Sequence, residues 1–309
     1  MTQFHRWFAS ILSGFLLVAC FPKPSIHPLV WIALLPLLLA LAGESSLWRA
    51  FGWAYVCGAI YFAGSCYWFV DVMRQYGGLG LGLAVTGLVG FVVVFSVFFG
   101  AFGLAVGALT RKSPALAFVS SPFLWVGMEV ARTYLITGFP WNLLGYGVQS
   151  GGLRQVASVT GVYGLSFLAV ATSALAAWSF RHWRDKRPWL VLGGWLALLL
   201  VGNWAFAPPP PTPGPDLAVL VQPNVPLDEQ AASAWAPWVN PTKLNQLVDM
   251  SLEALASAED APACGPNVCV AADPPETIPP GLLPMPVRMY RSRRFNGFLS
   301  NLGSTSNTT

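Results

Sequence analysis

The sequence predicts a polytopic α-helical membrane protein of about seven transmembrane helices, followed by a shorter external region of α/β character. Three observations carry this expectation. Of 309 residues, 55% are hydrophobic and only 10% charged, whereas about a quarter of the residues in a soluble domain carry charge. The charge is also unevenly placed: residues 1–206 hold 12 Lys/Arg and 4 Asp/Glu, while residues 207–309 hold 5 and 9. The prolines divide at the same point, 8 before it and 18 after, so the second region is short and heavily interrupted.

In the first region seven apolar runs stand out: Trp7 to Phe21, Pro28 to Gly43, Ala50 to Val70, Gly80 to Leu109, Pro114 to Met128, Val156 to Phe180 and Pro188 to Phe206. A helical crossing needs roughly 20 apolar residues. The first, second and fifth runs are short by that standard, and the fourth needs tilt or a protruding end. Charge placement tests the count, because short cytoplasmic loops are richer in Lys and Arg than external ones. With the N-terminus inside, the cytoplasmic segments collect eight basic residues, Arg6, Arg49, Arg111, Lys112, Arg181, Arg184, Lys186 and Arg187, against Lys23, Arg74, Arg132 and Arg154 outside. This orientation and an odd number of crossings place residues 207–309 outside the membrane.

Leu17-Val18-Ala19-Cys20 after Arg6 and an apolar run also allows a rival reading, a lipoprotein signal peptide cleaved before a lipid-modified Cys20. The next residues, Phe21-Pro22-Lys23-Pro24, lead into another apolar run instead of a polar tether. Cys20, Cys57 and Cys66 therefore read as small apolar residues in membrane helices, while Cys264 and Cys269 lie outside, where a disulfide can form. No Cys/His spacing matches a zinc site, so no metal or cofactor is expected. His5, His27 and His182 sit near membrane boundaries on different sides, which removes Ser-His-Asp and Cys-His arrangements. The basic residues are scattered over loops, so nucleic acid is not an expected partner. Gly78-Leu79-Gly80-Leu81-Gly82 lacks the preceding strand and following Lys-Ser/Thr of a phosphate loop. Gly100, Gly103 and Gly107 have the small-residue spacing that lets membrane helices approach closely.

Ionisable groups at membrane depth are costly and are functional candidates by default. Glu129 and Arg132 stand three apart near the end of the fifth run, placed to pair on one helical face or to touch substrate. Asp71 and Arg74 repeat that spacing at the end of the third. A proton-coupled transporter would need more buried charge or paired broken helices in corresponding halves. The segment after Glu129 is more distinctive: Gly138-Phe139-Pro140-Trp141-Asn142-Leu143-Leu144-Gly145-Tyr146. Pro140 interrupts helix, and Phe139, Trp141 and Tyr146 have the amphipathic bulk that suits the headgroup layer, so an external loop meeting lipid is expected here.

Trp125, Glu129, Arg132, Gly138-Phe139-Pro140-Trp141, Gly145-Tyr146 and Gly161-Val162-Tyr163-Gly164-Leu165-Ser166-Phe167 resemble, in order and spacing, the membrane-domain signature of bacterial apolipoprotein N-acyltransferases. Tyr67-Trp68 and Tyr76-Gly77-Gly78 resemble an earlier stretch of that family. In the external region, Asp216 to Val225 reads as a buried strand. A helix capped by Asn240 with Pro241 at its first position follows, and then a second strand over Asn267 to Ala272. This βαβ opening is similar to the start of the family's nitrilase-like (carbon-nitrogen hydrolase) domain, in which Trp235 or Trp238 would match the tryptophan that follows Gln-x-Asn. The domains expected are thus a transmembrane domain over residues 1–206, the start of a nitrilase-like periplasmic domain over 207–276 and an irregular tail over 277–309.

The resemblance implies a multi-pass protein of the bacterial inner membrane that moves an acyl chain from membrane phospholipid to the α-amino group of a diacylglyceryl-cysteine on an apolipoprotein. A thiolate would form a thioester with the acyl group, a glutamate would act as general base and a lysine would stabilise the oxyanion. It implies lipid contact at Gly138, Phe139, Pro140, Trp141, Gly145, Tyr146 and Trp238. Asp273-Pro274-Pro275-Glu276 stands where the family has Trp-Pro-Glu, making Glu276 the candidate base, with a solvated glutamate in a Pro-rich loop as the other reading. Residues 277–309 contain neither lysine nor cysteine, and 103 residues are too few for a nitrilase-like core. The external domain is therefore expected to be incomplete, through truncation or a shifted reading frame near Asn267, and the chain to be inactive in that case. A lipid-binding scaffold without turnover is the alternative expectation, ahead of a transporter.

Overall fold

A computed structural model describes residues 2–136 and 138–207, together with positions 245, 248, 249, 251 and 252. Two units are separable, residues 1–208 and 209–309. The described positions of the second are all helical and fall in the helix expected after Asn240; the two expected strands, Trp235, Trp238 and Glu276 lie outside the described residues.

Among the described residues the first unit is entirely helical: α1 Gln3–Ala19, α2 Leu35–Leu41, α3 Leu47–Ser65, α4 Trp68–Gln75, α5 Leu81–Lys112, α6 Pro114–Tyr134, α7 Ala157–Arg181 and α8 Lys186–Ala205, with short 3-10 turns at His27–Trp31, Leu144–Gly147 and Leu153–Val156. Local chemistry sets the ends. The Ser113 hydroxyl accepts the Leu116 amide at the start of α6, with Pro114 in the first turn, and the Asp185 carboxylate accepts the Arg187 amide at the start of α8.

All seven apolar runs lie on helix, but they are not equivalent. By length and composition four helical segments can cross a membrane: Leu81–Lys112, Pro114–Tyr134, Leu153–Arg181 and Lys186–Ala205. The pair α3 and α4, bent by 51° at Cys66 and Tyr67, makes a fifth. α1 has 17 residues, and the second run is divided, with Pro28 and Pro36 opening a 3-10 turn and a seven-residue helix. Proline cannot donate an interior helical hydrogen bond, which explains that division.

α3 lies along α5, with α1 on its other side, while α6 bridges α5 to α7. The small-residue contact expected on α5 is present: a Cβ on Gly103 would sit 2.5 Å from the Ala50 carbonyl oxygen of α3. Aromatic rings fill the space where α3, α4 and α5 meet, with Phe91 in ring contact with Phe62, Phe69 and Phe95. Cys20, Cys57 and Cys66 are all buried free thiols. Outside the spans, a charge cluster ties three elements together. Glu44, 4% exposed in the loop after α2, receives Arg6 of α1 at 3.2 Å and Arg49 of α3 at 2.8 Å.

Candidate functional site

α6 ends at Tyr134, and the chain returns over its own end before α7 begins. Gly138 takes φ +83°, a left-handed conformation open to glycine, and the Phe139 amide then donates back to the Arg132 carbonyl at 3.0 Å. From there to Tyr146 the loop is held by side chains from three helices. Arg132 Nη1 and Nη2 donate to the carbonyl oxygens of Trp141 and Asn142 at 2.9 and 3.1 Å. Glu129 Oε1 accepts the Leu144 amide at 2.7 Å and the Trp125 indole N–H at 3.0 Å. The Ser166 hydroxyl of α7 accepts the Gly145 amide at 2.8 Å.

From α3, the Tyr61 hydroxyl donates to the Asn142 carbonyl at 2.5 Å, and the Asn142 amide donates to Ser65 Oγ at 3.0 Å and to Cys66 Sγ at 3.3 Å. Asn142 itself has φ +54°, a conformation that asparagine tolerates better than most residues. The Tyr163 hydroxyl donates to Thr133 at 3.0 Å, joining α7 to the end of α6.

Glu129 and Arg132 are each 1% exposed. The expected pairing between them is not what holds them: among the described residues ion pairs form only at Glu44. Each instead satisfies loop backbone, because in an apolar interior the return loop leaves amides and carbonyls that must find partners. Glu129 Oε2 and Arg132 Nε have no hydrogen-bond partner of standard geometry, although the Ser166 hydroxyl lies beside the carboxylate. The guanidinium also sits 5.4 Å from the ring centroids of both Phe62 and Phe139. Asp71 and Arg74 are exposed on α4 and do not pair either.

The loop residues expected to meet lipid divide into two groups. Phe139 is 4% exposed and packs among Phe69, Phe91 and Phe95, which corrects its expected place in the headgroup layer. Gly145 is buried too, since a Cβ there would strike the α7 backbone at Val162 and Ser166. Pro140, Trp141 and Tyr146 face outward, the last two 56% and 51% exposed, and Gly138 is half-buried. An inward Phe139 anchors the loop, and the pinned backbone presents Trp141 and Tyr146.

Sequence reasoning did not single out Tyr61, Ser65 or Asn142. An asparagine within a Pro- and Gly-rich loop is a signal for positive φ, but hydroxyls four residues apart on an apolar helix carry no signal of where a distant loop will land. Among the described residues no group of three His, Cys, Asp or Glu could hold a metal ion. The arrangement is suited to fixing a loop at the end of a helix bundle, and it holds no paired nucleophile and base.

The fold and this loop define a multi-pass helical membrane protein with a side-chain-pinned aromatic loop at one end of α6. The family model described as "Apolipoprotein N-acyltransferase N-terminal domain" matches residues 13–175, more than half of the chain, and the chain belongs to that family. An apolipoprotein N-acyltransferase of Geobacter metallireducens is 38% identical over 183 residues, covering 58% of this chain and 34% of the relative. One from Methylococcus capsulatus is 30% identical over 247 residues, 78% of this chain and 47% of the relative. A third, from Verminephrobacter eiseniae, is 34% identical over 229 residues, 66% of this chain and 41% of the relative. The chain thus spans between a third and half of the length of these relatives. A match to 78% of the chain exceeds what residues 1–206 supply, so similarity continues beyond the membrane helices.

Proposed function

We propose that this chain serves the acyl transfer its relatives are named for, moving an acyl group from membrane phospholipid to the α-amino group of a diacylglyceryl-cysteine on an apolipoprotein. The observation that carries the reading is the pinned loop: its motif residues lie within the family match, and buried charges are spent on holding its backbone so that Trp141 and Tyr146 face outward. Those two rings, with Gly138 and Pro140 beside them, form the surface offered to acyl-bearing substrates, and Trp238 is separately proposed to contact lipid.

In the proposed reaction a thiolate attacks the phospholipid ester carbonyl. The acyl group passes to sulfur as a thioester, and the lysophospholipid alkoxide leaves with the thiol proton that the general base, for which Glu276 is the candidate, took in forming the thiolate. The α-amino group of the acceptor then attacks the thioester and gives its proton to the same base, the amide forms and the thiolate is regenerated. In this reading the chain crosses the bacterial inner membrane seven times, α1 and the His27–Leu41 segment adding to the longer spans, with the N-terminus cytoplasmic. Residues 207–276 open a nitrilase-like domain on the periplasmic side. A second reading is a membrane-embedded lipid-binding scaffold without turnover, supported by Glu129 and Arg132 both serving to hold the backbone of the lipid-facing loop.

The test is reconstitution in phosphatidylethanolamine vesicles with a diacylglyceryl-cysteine peptide, followed by mass spectrometry of peptide and protein. Acyl transfer gives a triacylated peptide and a hydroxylamine-sensitive acyl adduct on the chain. Saturable peptide binding with neither product supports the scaffold, and absence of both binding and products overturns the lipoprotein reading.

A further inference from the structure

Between α6 and α7 the lipid-facing surface is indented by a groove of about 480 Å³, within the roughly 300–1,000 Å³ of small-molecule sites. Its walls are Phe123 and Val126 of α6 and Tyr163, Gly164, Phe167 and Leu168 of α7. The opening has a structural cause. Gly161 adopts φ +64° and ψ −169°, which breaks the regular course of α7, and the missing side chain of Gly164 leaves room for that of Thr160, which a Cβ there would strike. Phe123 and Phe167 meet edge to face at 4.9 Å and close one side.

Three features say what the groove takes. Both helices belong to membrane-crossing segments, so the medium around it is hydrocarbon. The regular helix of its α7 wall, Tyr163 to Leu168, rises about 8 Å, and the kink at Gly161 separates it from Val156 at the outer end. That length takes part of one acyl chain within a single leaflet, about half of the roughly 30 Å hydrocarbon core. At the outer end stand Thr160, whose hydroxyl donates to the Val156 carbonyl, and Tyr163, whose hydroxyl donates to Thr133 of α6. Arg154 stands two residues before Val156 on a 3-10 turn, about 4 Å away along the axis. It is exposed, and it forms none of the ion pairs found among the described residues.

We infer that this groove is a binding site for one phospholipid of the leaflet facing the 138–146 loop, with one acyl chain along Phe123, Val126 and Leu168 and its phosphate on Arg154. The site is separate from the loop and requires no acyl transfer, so it stands or falls apart from the enzymatic reading.

The experiment uses the full chain in phosphatidylethanolamine vesicles containing a trace of phosphatidylethanolamine with a diazirine near the end of one acyl chain. Photolabelled residues are located by peptide mass spectrometry. Labelling is expected to concentrate at residues 123–126 and 163–168 and to be displaced by excess unlabelled lipid. Val126→Trp fills the groove and removes that labelling. Arg154→Gln, on an exposed turn where folding is not at stake, weakens it about tenfold, the equivalent of ~1.4 kcal/mol, and Arg154→Lys retains most of it. A diacylglycerol probe, which has the chains without the phosphate, labels about tenfold less for the same reason. Equal labelling along the lipid-exposed face of α8 means ordinary surrounding lipid and overturns the site. Equal labelling by diacylglycerol, or no effect of Arg154→Gln, overturns the assignment of the phosphate to Arg154.

Discussion

Glu129 and Leu144 are joined by a 2.7 Å hydrogen bond from the Leu144 amide to Oε1, so a carboxylate buried near the end of one helix closes a loop of fifteen residues. The same oxygen accepts the Trp125 indole N–H one turn earlier. Glu129→Ala leaves both donors buried without an acceptor, at a cost on the order of 3 kcal/mol. Glu129→Gln keeps an acceptor oxygen and is expected to cost much less. Thermal unfolding of purified protein in detergent checks the order, and equal losses in the two variants would count against the hydrogen-bond account.

Arg132 grips two successive carbonyls with the two arms of one guanidinium. Lysine supplies a point charge and no fork. Arg132→Lys should therefore leave the helices intact while raising hydrogen exchange across residues 139–146. Unchanged protection of those amides would show that the remaining bonds suffice.

Phe139 and Trp141 are two residues apart and should behave as opposites. Phe139→Ala opens a cavity among Phe69, Phe91 and Phe95 and is expected to cost about 3–5 kcal/mol. Trp141→Ala, at an exposed position, should alter stability by no more than about 0.5 kcal/mol but weaken binding of a diacylglyceryl peptide, read by fluorescence titration. The proposed role of Trp141 fails if peptide binding is untouched.

Burial alone would push the Glu44 carboxyl up, but the Ser46 amide and the Arg49 and Arg6 guanidiniums outweigh it and hold this group below the ordinary carboxylate range. A group lowered in the folded state contributes stability above its unfolded value, and that contribution is lost as pH falls through the folded value. Acidification below about pH 4 should therefore loosen the junction of α1, α2 and α3. Glu44→Gln, which leaves two arginines facing each other, should cost on the order of 3 kcal/mol at neutral pH and flatten the acid limb. Melting temperatures across pH for both proteins decide this.

The helices were legible because their signal is local: apolar runs bounded by caps, glycine and proline. The division of the second run was not read, although Pro28 and Pro36 carry its signal. Crossing number was less legible, because α1 and α2 are apolar yet short, and length decides what a helix can span. At the site, the motif residues Glu129, Arg132 and Phe139 to Tyr146 stood out in sequence. Their roles did not, since spacing suggested that Glu129 and Arg132 pair and that Phe139 faces lipid. Both errors have one cause: a loop folding back brings backbone donors and acceptors, and an aromatic cavity, into reach of side chains that one-helix geometry pairs differently.

The loop is latched from both directions along the chain, by Tyr61 and Ser65 before it and by Ser166 after it. Synthesis runs from the N-terminus, and Ser166 follows Gly145 by 21 residues. During insertion the ribosome must therefore deliver the first turns of α7 before the loop can lock. A chain stalled before residue 166 would carry every loop residue with its Ser166 latch unmade.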